Sequence, residues 1–120
     1  MRGRAYEEGG LPPVTEELVR ALPKTDLHCH LDGSLRLRTI LDLADQGGVP
    51  LPPGGEAGLA RAIHMGEVCR SLEEYLQAFE VTLSVLQTEE GLRRAARELA
   101  LDAAAENVRY LEVRFSPVLH

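Results

Sequence analysis

Residues 24–37 read KTDLHCHLDGSLRL, with His28 and His30 one residue apart, Asp32 at the same spacing and Gly33 directly after it. A spacing of two is the period of a β-strand. If the segment is extended, His28, His30 and Asp32 project from one face and Cys29 and Leu31 from the other. Imidazole nitrogen is a good ligand for zinc, and two histidines on one strand face can reach the same ion. A catalytic zinc generally holds three protein ligands and a water, so this pair needs at least one further group from outside the motif. The other histidines, His64 and His120, lie in no comparable context. Stripped of context, a His-x-His pair also reads as a strand carrying surface or hydrogen-bonded imidazoles. Cys29, turned away from the histidines, reads as a buried apolar residue.

The elements around the motif must hold it. Thr15 precedes EELVRAL, whose acidic first turn and apolar Leu18, Val19 and Leu22 suit one or two helical turns ended by Pro23. Thr25 to His30 reads as a strand and Asp32-Gly33 as its exit. Ser34 is the expected cap of the helix LRLRTILDLADQ, which Gly47-Gly48 stops. Residues 49–58, VPLPPGGEAG, hold three prolines and three glycines and read as a connecting loop that does not pack. A short segment follows, near Ala60 to Val68. In SLEEYLQAFEVTLSVLQ, Ser71 and Glu74 are spaced as a capping box, and Leu72, Tyr75, Leu76, Phe79, Leu83 and Leu86 keep helical spacing. Another helix begins near Thr88 with Leu92, Ala95, Ala96, Leu99 and Ala103 on one stripe and stops at Asn107.

The final VRYLEVRFSPVLH alternates Val108, Tyr110, Glu112 and Arg114 with Arg109, Leu111, Val113 and Phe115, a strand with two different faces ended by Pro117. The expected order of helix, strand, helix, loop, two helices and strand suits an α/β protein with parallel strands joined by helical crossovers. It looks like the opening of a (β/α)8 TIM barrel with inserted helices. Such a barrel takes roughly 250 residues, and the sequence supplies about two of its eight repeats. Residues 1–120 are therefore expected to be the N-terminal portion of one barrel domain, truncated at its C-terminal side. In that setting the His pair falls at the C-terminal end of the first strand, where barrel enzymes build their active sites.

Composition narrows the partners. The 120 residues are 44% hydrophobic and carry a net charge of −6, which fits a globular chain and argues against nucleic acid as the main partner. No stretch approaches the roughly 18 apolar residues of a membrane span, and MRGRAYEEGG lacks the apolar core of a secretory signal, so no membrane role and a cytoplasmic location are expected. Cys29 and Cys69 are expected to stay reduced there. Aromatic residues are few and tryptophan is absent, which leaves the core to leucine, valine and alanine.

DLHCHLDGSL resembles the N-terminal signature of the adenosine deaminase family, and SLEEYLQAF and YLEVRFSP match that family's pattern in the same order and at comparable spacing. The resemblance covers about residues 20–120 and corresponds to the first third or so of a family member. It implies a zinc-dependent hydrolase on a (β/α)8 barrel that converts adenosine or deoxyadenosine to inosine or deoxyinosine with release of ammonia. By matching position, His28 and His30 are zinc ligands, His30 also lies against the substrate, and Asp32 bonds the sugar hydroxyl. Leu72, Tyr75, Leu76 and Phe79 match a helix that forms an apolar lid over the purine nucleoside, with Tyr75 where phenylalanine is familiar. Arg114 and Ser116 match the end of the second barrel strand near the site.

For the lid residues, helical apolar spacing alone also predicts core packing. Glu112 and Arg114 read as a structural pair or strand-end network rather than as catalytic groups. The family's third histidine ligand, the general-acid glutamate of its His-Ala-Gly-Glu stretch and its late Asp-Asp pair are all absent from this sequence. No catalytic residue is assigned, and these 120 residues alone are not expected to deaminate.

Among relatives, adenine-specific deaminases usually carry glutamate where Asp32 stands. Phosphoesterases with a similar Asp-Leu-His-x-His strand usually carry threonine where Leu31 stands. Aminofutalosine remains open as a substrate. A different class of reading is a non-catalytic deaminase remnant that serves as a binding or assembly module. The sequence does not specify the oligomeric state.

Overall fold

The computed structural model describes residues 13–63, Cys69 and residues 71–120, without the side chain of Glu74. The readings of residues 1–10, His64, the remainder of the 60–68 segment and the Glu74 half of the capping box lie outside the described residues. The described elements run α1 (Glu16–Ala21), β1 (Lys24–His30), α2 (Leu37–Gly47), α3 (Gly55–Ile63), α4 (Leu72–Val85), α5 (Glu89–Ala105), β2 (Val108–Arg114) and a 3-10 turn (Pro117–Leu119).

Local chemistry sets most boundaries. The Thr15 hydroxyl accepts the Leu18 N–H at 3.2 Å and Thr88 accepts that of Gly91 at 3.1 Å, so both residues are N-caps as their side chains suggest. Gly48 ends α2 at φ 62°, a left-handed conformation that disfavours a Cβ. Asn107, at φ 61°, turns the chain from α5 into β2, and its side-chain amide donates to Ala21 O at 2.7 Å. The Lys24 ammonium caps the end of α1 through Val19 O at 2.7 Å and Leu22 O at 2.9 Å.

β1 and β2 pair in parallel, with Cys29 opposite Val113 and His30 opposite Arg114. The ladder runs on past His30, where the Leu31 N–H reaches Arg114 O at 2.9 Å. The architecture is mixed α/β with parallel strands. Ile40, Leu59 and Leu86 are fully buried at the centre of a core completed by Leu31, Leu43, Ala44, Val85, Ala95 and Leu99. Each of the leucine, isoleucine and valine side chains among them contributes roughly 1.5–3 kcal/mol through removal from water.

A polar network ties α2 to α5. Arg94 reaches Asp42 at 2.9 Å and Glu98 at 2.9 Å, the Thr39 hydroxyl donates to Glu98, and Arg36 pairs with Asp102 at 2.5 Å. Burial pushes the Glu98 carboxyl up, but the bonds from Thr39 and Arg94 outweigh it and hold it below the ordinary carboxylate range.

Several expectations need correction. Ser34 does not cap α2: Arg36 occupies the N-cap position, and the Ser34 hydroxyl turns back to donate to His30 O at 2.5 Å. The stretch 49–58 is not wholly a loop, because α3 begins at Gly55, Gly58 is buried, and Val49 and Leu51 pack on the core. Gly58 fits because its position lies against Pro53, whose carbonyl oxygen would stand 2.0 Å from an added Cβ. The apolar face of α1 is exposed at Leu18, Val19 and Leu22, and Ala96 lies on the outside of α5. On α4 the face against the core is Ala78, Thr82 and Val85, whereas Leu72, Tyr75 and Leu76 are exposed.

Candidate functional site

The pleat of β1 puts both imidazoles on one sheet face, as the spacing of two requires. Their Nε2 atoms lie 3.1 Å apart, close enough to share a hydrogen bond whose donor depends on the tautomers. Two nitrogens on one tetrahedral zinc, each about 2.0–2.1 Å from the ion, stand about 3.3 Å apart, so this pair matches two corners of such a site. The donor chemistry and spacing therefore fit zinc. Among the described residues, no group of three His, Cys, Asp or Glu side chains converges as a metal site. The pair is a partial ligand set.

Cys29 faces the other way, packs on the core and is unpaired, as is Cys69. Its sulfur lies 3.4 Å from the Ser34 hydroxyl, which links the underside of β1 to the loop after it.

That loop carries Asp32, which is buried with 7% of its surface exposed. Its Oδ1 is buried and has no hydrogen-bond partner among the described residues. His30 Nδ1 stands 3.7 Å from that oxygen, beyond hydrogen-bond range. A buried acceptor left unsatisfied costs about 1–3 kcal/mol, so an acceptor held in this state is suited to a donor arriving with a ligand.

α4 closes the site from the opposite side. The Phe79 ring meets His30 edge-on at a centroid distance of 6.2 Å, and Tyr75 meets Phe79 at 5.3 Å in the same manner. Asp32, Gly33, Tyr75, Ala78, Phe79 and Thr82, with Leu35 and Ile63, line a cavity of about 140 Å³. Complete small-ligand pockets run from about 300 Å³ upward, so this cavity is smaller than a typical one.

The structure thus brings His28, His30, Asp32, Tyr75 and Phe79 together. Leu72 and Leu76 stand exposed on α4 outside the cavity wall, and Ser116 sits at the N-cap position of the 3-10 turn, also outside it. Core packing accordingly does not account for Leu72, Tyr75 or Leu76.

Thr82, Ala78 and Ile63 line the cavity although nothing in the sequence singled them out. Ala78 and Thr82 could have been found from their spacing of three and seven residues beyond Tyr75, which keeps them on one side of a helix. No comparable signal marks Ile63, which arrives from another helix.

On β2, Tyr110 Oη donates to Glu112 Oε1 at 3.0 Å and Arg114 Nη2 donates to Glu112 Oε2 at 2.7 Å. The expected structural pair is present, extended by a tyrosine. The Tyr110 hydroxyl first, and then Arg114, hold the Glu112 carboxyl below the ordinary carboxylate range.

Residues 23–120 match the family model described as adenosine deaminase. An adenosine deaminase of Shewanella woodyi is 55% identical over 101 residues, covering 84% of this chain and 30% of that protein. One of Clostridium botulinum is 52% identical over 101 residues with the same shares of 84% and 30%. Among solved structures, the Arabidopsis N6-mAMP deaminase superposes with a TM-score of 0.63 at 32% identity, covering 84% of this chain and 29% of that one. Arabidopsis ADAL complexed with IMP gives a TM-score of 0.62 at 31% identity, again over 84% and 29%. The chain spans about 30% of the length of the curated relatives it matches. Among the described residues, no helix is long and apolar enough to cross a membrane.

Proposed function

Because the chain belongs to the adenosine deaminase family, we propose that it forms the N-terminal portion of a (β/α)8 barrel enzyme that deaminates adenosine or deoxyadenosine hydrolytically, releasing ammonia. Residues 1–120 form one part of that single domain. The enzyme works in the cytoplasm, where Cys29 and Cys69 stay reduced.

His28 and His30 hold the zinc ion, which the 3.1 Å separation of their Nε2 atoms supports. When bound there, zinc would supply the acidity that lowers the pKa of its water far below the bulk value, to about 7. His30 also presents its ring to the substrate, between the ion and Phe79. Asp32 Oδ1, unpartnered and buried, accepts the sugar hydroxyl. Phe79 and Tyr75 offer ring surfaces to a flat purine and keep water from it, and the exposed Leu72 and Leu76 extend that apolar cover along α4. Ser116 lies at the end of β2, where barrel active sites are built. The remaining zinc ligands and the proton donor come from outside these residues, so the 120 residues by themselves bind zinc weakly and turn nothing over.

A nucleoside is favoured over a nucleotide because the adenosine deaminases are much closer in sequence than the N6-mAMP deaminase. The observation that carries the proposal is the placing of the paired imidazole nitrogens, through the edge contact of His30 with Phe79, beside a cavity lined by Phe79 and by Asp32, whose oxygen is unpartnered. The test is ammonia release from adenosine by the gene product that contains this chain, with zinc supplied. Turnover is expected, with loss of at least a hundredfold in His28→Ala and in Asp32→Ala. Turnover undiminished by both substitutions would overturn the proposal.

A further inference from the structure

The strand pairing is irregular at two places, between Lys24 and Thr25 and between Asp26 and Cys29, and the second is beside the zinc pair. Asp26 stands opposite Leu111 and Cys29 opposite Val113, so Leu27 and His28 together face the single residue Glu112. Such a bulge re-aims a side chain, and bulges concentrate next to active sites. The following pair, His30 with Arg114, shares a sheet face. Arg114 and Tyr110 both bond Glu112, so all three β2 side chains lie on that same face as the imidazoles.

We propose that Glu112 is a positioning residue for His28: clamped between Tyr110 and Arg114, its carboxylate fixes the orientation and tautomer of the facing imidazole. The inference rests on the reading of His28 as a zinc ligand. His28 Nε2 is turned toward His30, which leaves Nδ1 as the donor for a carboxylate. Each Glu112 oxygen already accepts one hydrogen bond and retains capacity for another. The charge of Glu112 also offsets that of Arg114, a cation that would otherwise oppose a metal ion next to His30. A carboxylate that accepts the second ring N–H of a ligating histidine typically contributes 10–100-fold in metal affinity.

Two readouts on the full chain test the proposal, one of them without metal. With ring nitrogens labelled, Glu112→Gln is expected to shift the His28 imidazole signals of the metal-free protein and to leave those of His120 in place. Tyr110→Phe, which loosens the clamp and keeps the aromatic ring, is expected to shift them less and in the same sense, and it serves should Glu112→Gln fail to fold. His28 signals unchanged in both variants overturn the proposal. In zinc titrations, Glu112→Gln is expected to weaken binding about 10–100-fold at unchanged stoichiometry, with Glu112→Asp in between. Equal affinity in wild type and Glu112→Gln also overturns it. Equal zinc affinity in wild type and His28→Ala would instead sink the zinc reading, and the metal-free signals would still decide whether Glu112 positions His28.

Discussion

Gly33 lies directly under the Phe79 ring: a Cβ added at Gly33 would stand 3.3 Å from both Cε1 and Cζ of that ring. The loop that carries Asp32 and the helix that closes the cavity therefore fit so closely that a side chain at residue 33 would require the Phe79 ring to shift by a few tenths of an ångström. Gly33→Ala is expected to cost about 1 kcal/mol by overpacking. Shortening the partner should relieve it, so Gly33→Ala with Phe79→Leu should cost less than the two separate changes added together. Coupling of at least about 0.5 kcal/mol in denaturant melts is the expected result, and strict additivity would remove the contact.

Two other glycines separate steric clash from backbone strain. At Gly58 an added Cβ meets the Pro53 carbonyl oxygen at 2.0 Å, and backbone cannot rotate away as a side chain can. At Gly48 nothing lies within 4 Å, and only the φ of +62° opposes a side chain. Gly48→Ala should cost about 1–2 kcal/mol. Gly58→Ala should cost about 3 kcal/mol or more, at the upper end of overpacking effects. Equilibrium unfolding of the two variants side by side reads the order directly.

Leu86 and Leu72 are chemically identical and oppositely placed. Leu86 is fully buried and Leu72 is 67% exposed. Leu86→Ala should lose about 2–5 kcal/mol. Leu72→Ala should change stability by no more than about 0.5 kcal/mol, as surface positions do. If Leu72 covers a bound nucleoside, its loss should raise KM for adenosine in the complete enzyme while the melting temperature holds.

Acid should weaken the junction between α2 and α5. The Glu98 carboxyl is held below its ordinary value, and its side chain is only 14% exposed. Asp102 is lowered too, by the Arg36 hydrogen bond, but is half-exposed and counts for less. A depressed carboxylate contributes stability that is fully present above its unfolded pKa, about 4.3 for glutamate, and is lost as pH falls through the lower folded value. The melting temperature should hold from neutrality to about pH 5 and fall below pH 4, and Glu98→Gln should flatten that fall. An equally steep acid limb in Glu98→Gln would assign the effect to other groups.

Much of the site is legible in the sequence because its rules are local. The period of two that aligns His28 with His30, the hydroxyl caps Thr15 and Thr88, and the glycine stop after α2 each depend on atoms within a few residues. The Glu112–Arg114 pair is legible for the same reason, since side chains two apart on a strand share a face. Ser34 misleads because a hydroxyl after a strand has two local options, capping the next helix or turning back to the strand, and here it bonds His30 O.

The sequence by itself determined the elements, the shared face of the imidazoles and the family resemblance, because these are written in spacing and in nearest-neighbour hydrogen bonds. The tertiary structure decided which side of α4 is buried. Apolar residues surround much of the helix, and only tertiary contacts select which are buried, covering Ala78, Thr82 and Val85, leaving Tyr75 half-exposed and setting Phe79 edge-on to His30. It likewise decided that Ile63 reaches the cavity, that a helix begins at Gly55, and that Glu112 stands alone opposite Leu27 and His28. Each of these depends on residues far apart in the chain, and no local period carries information about them.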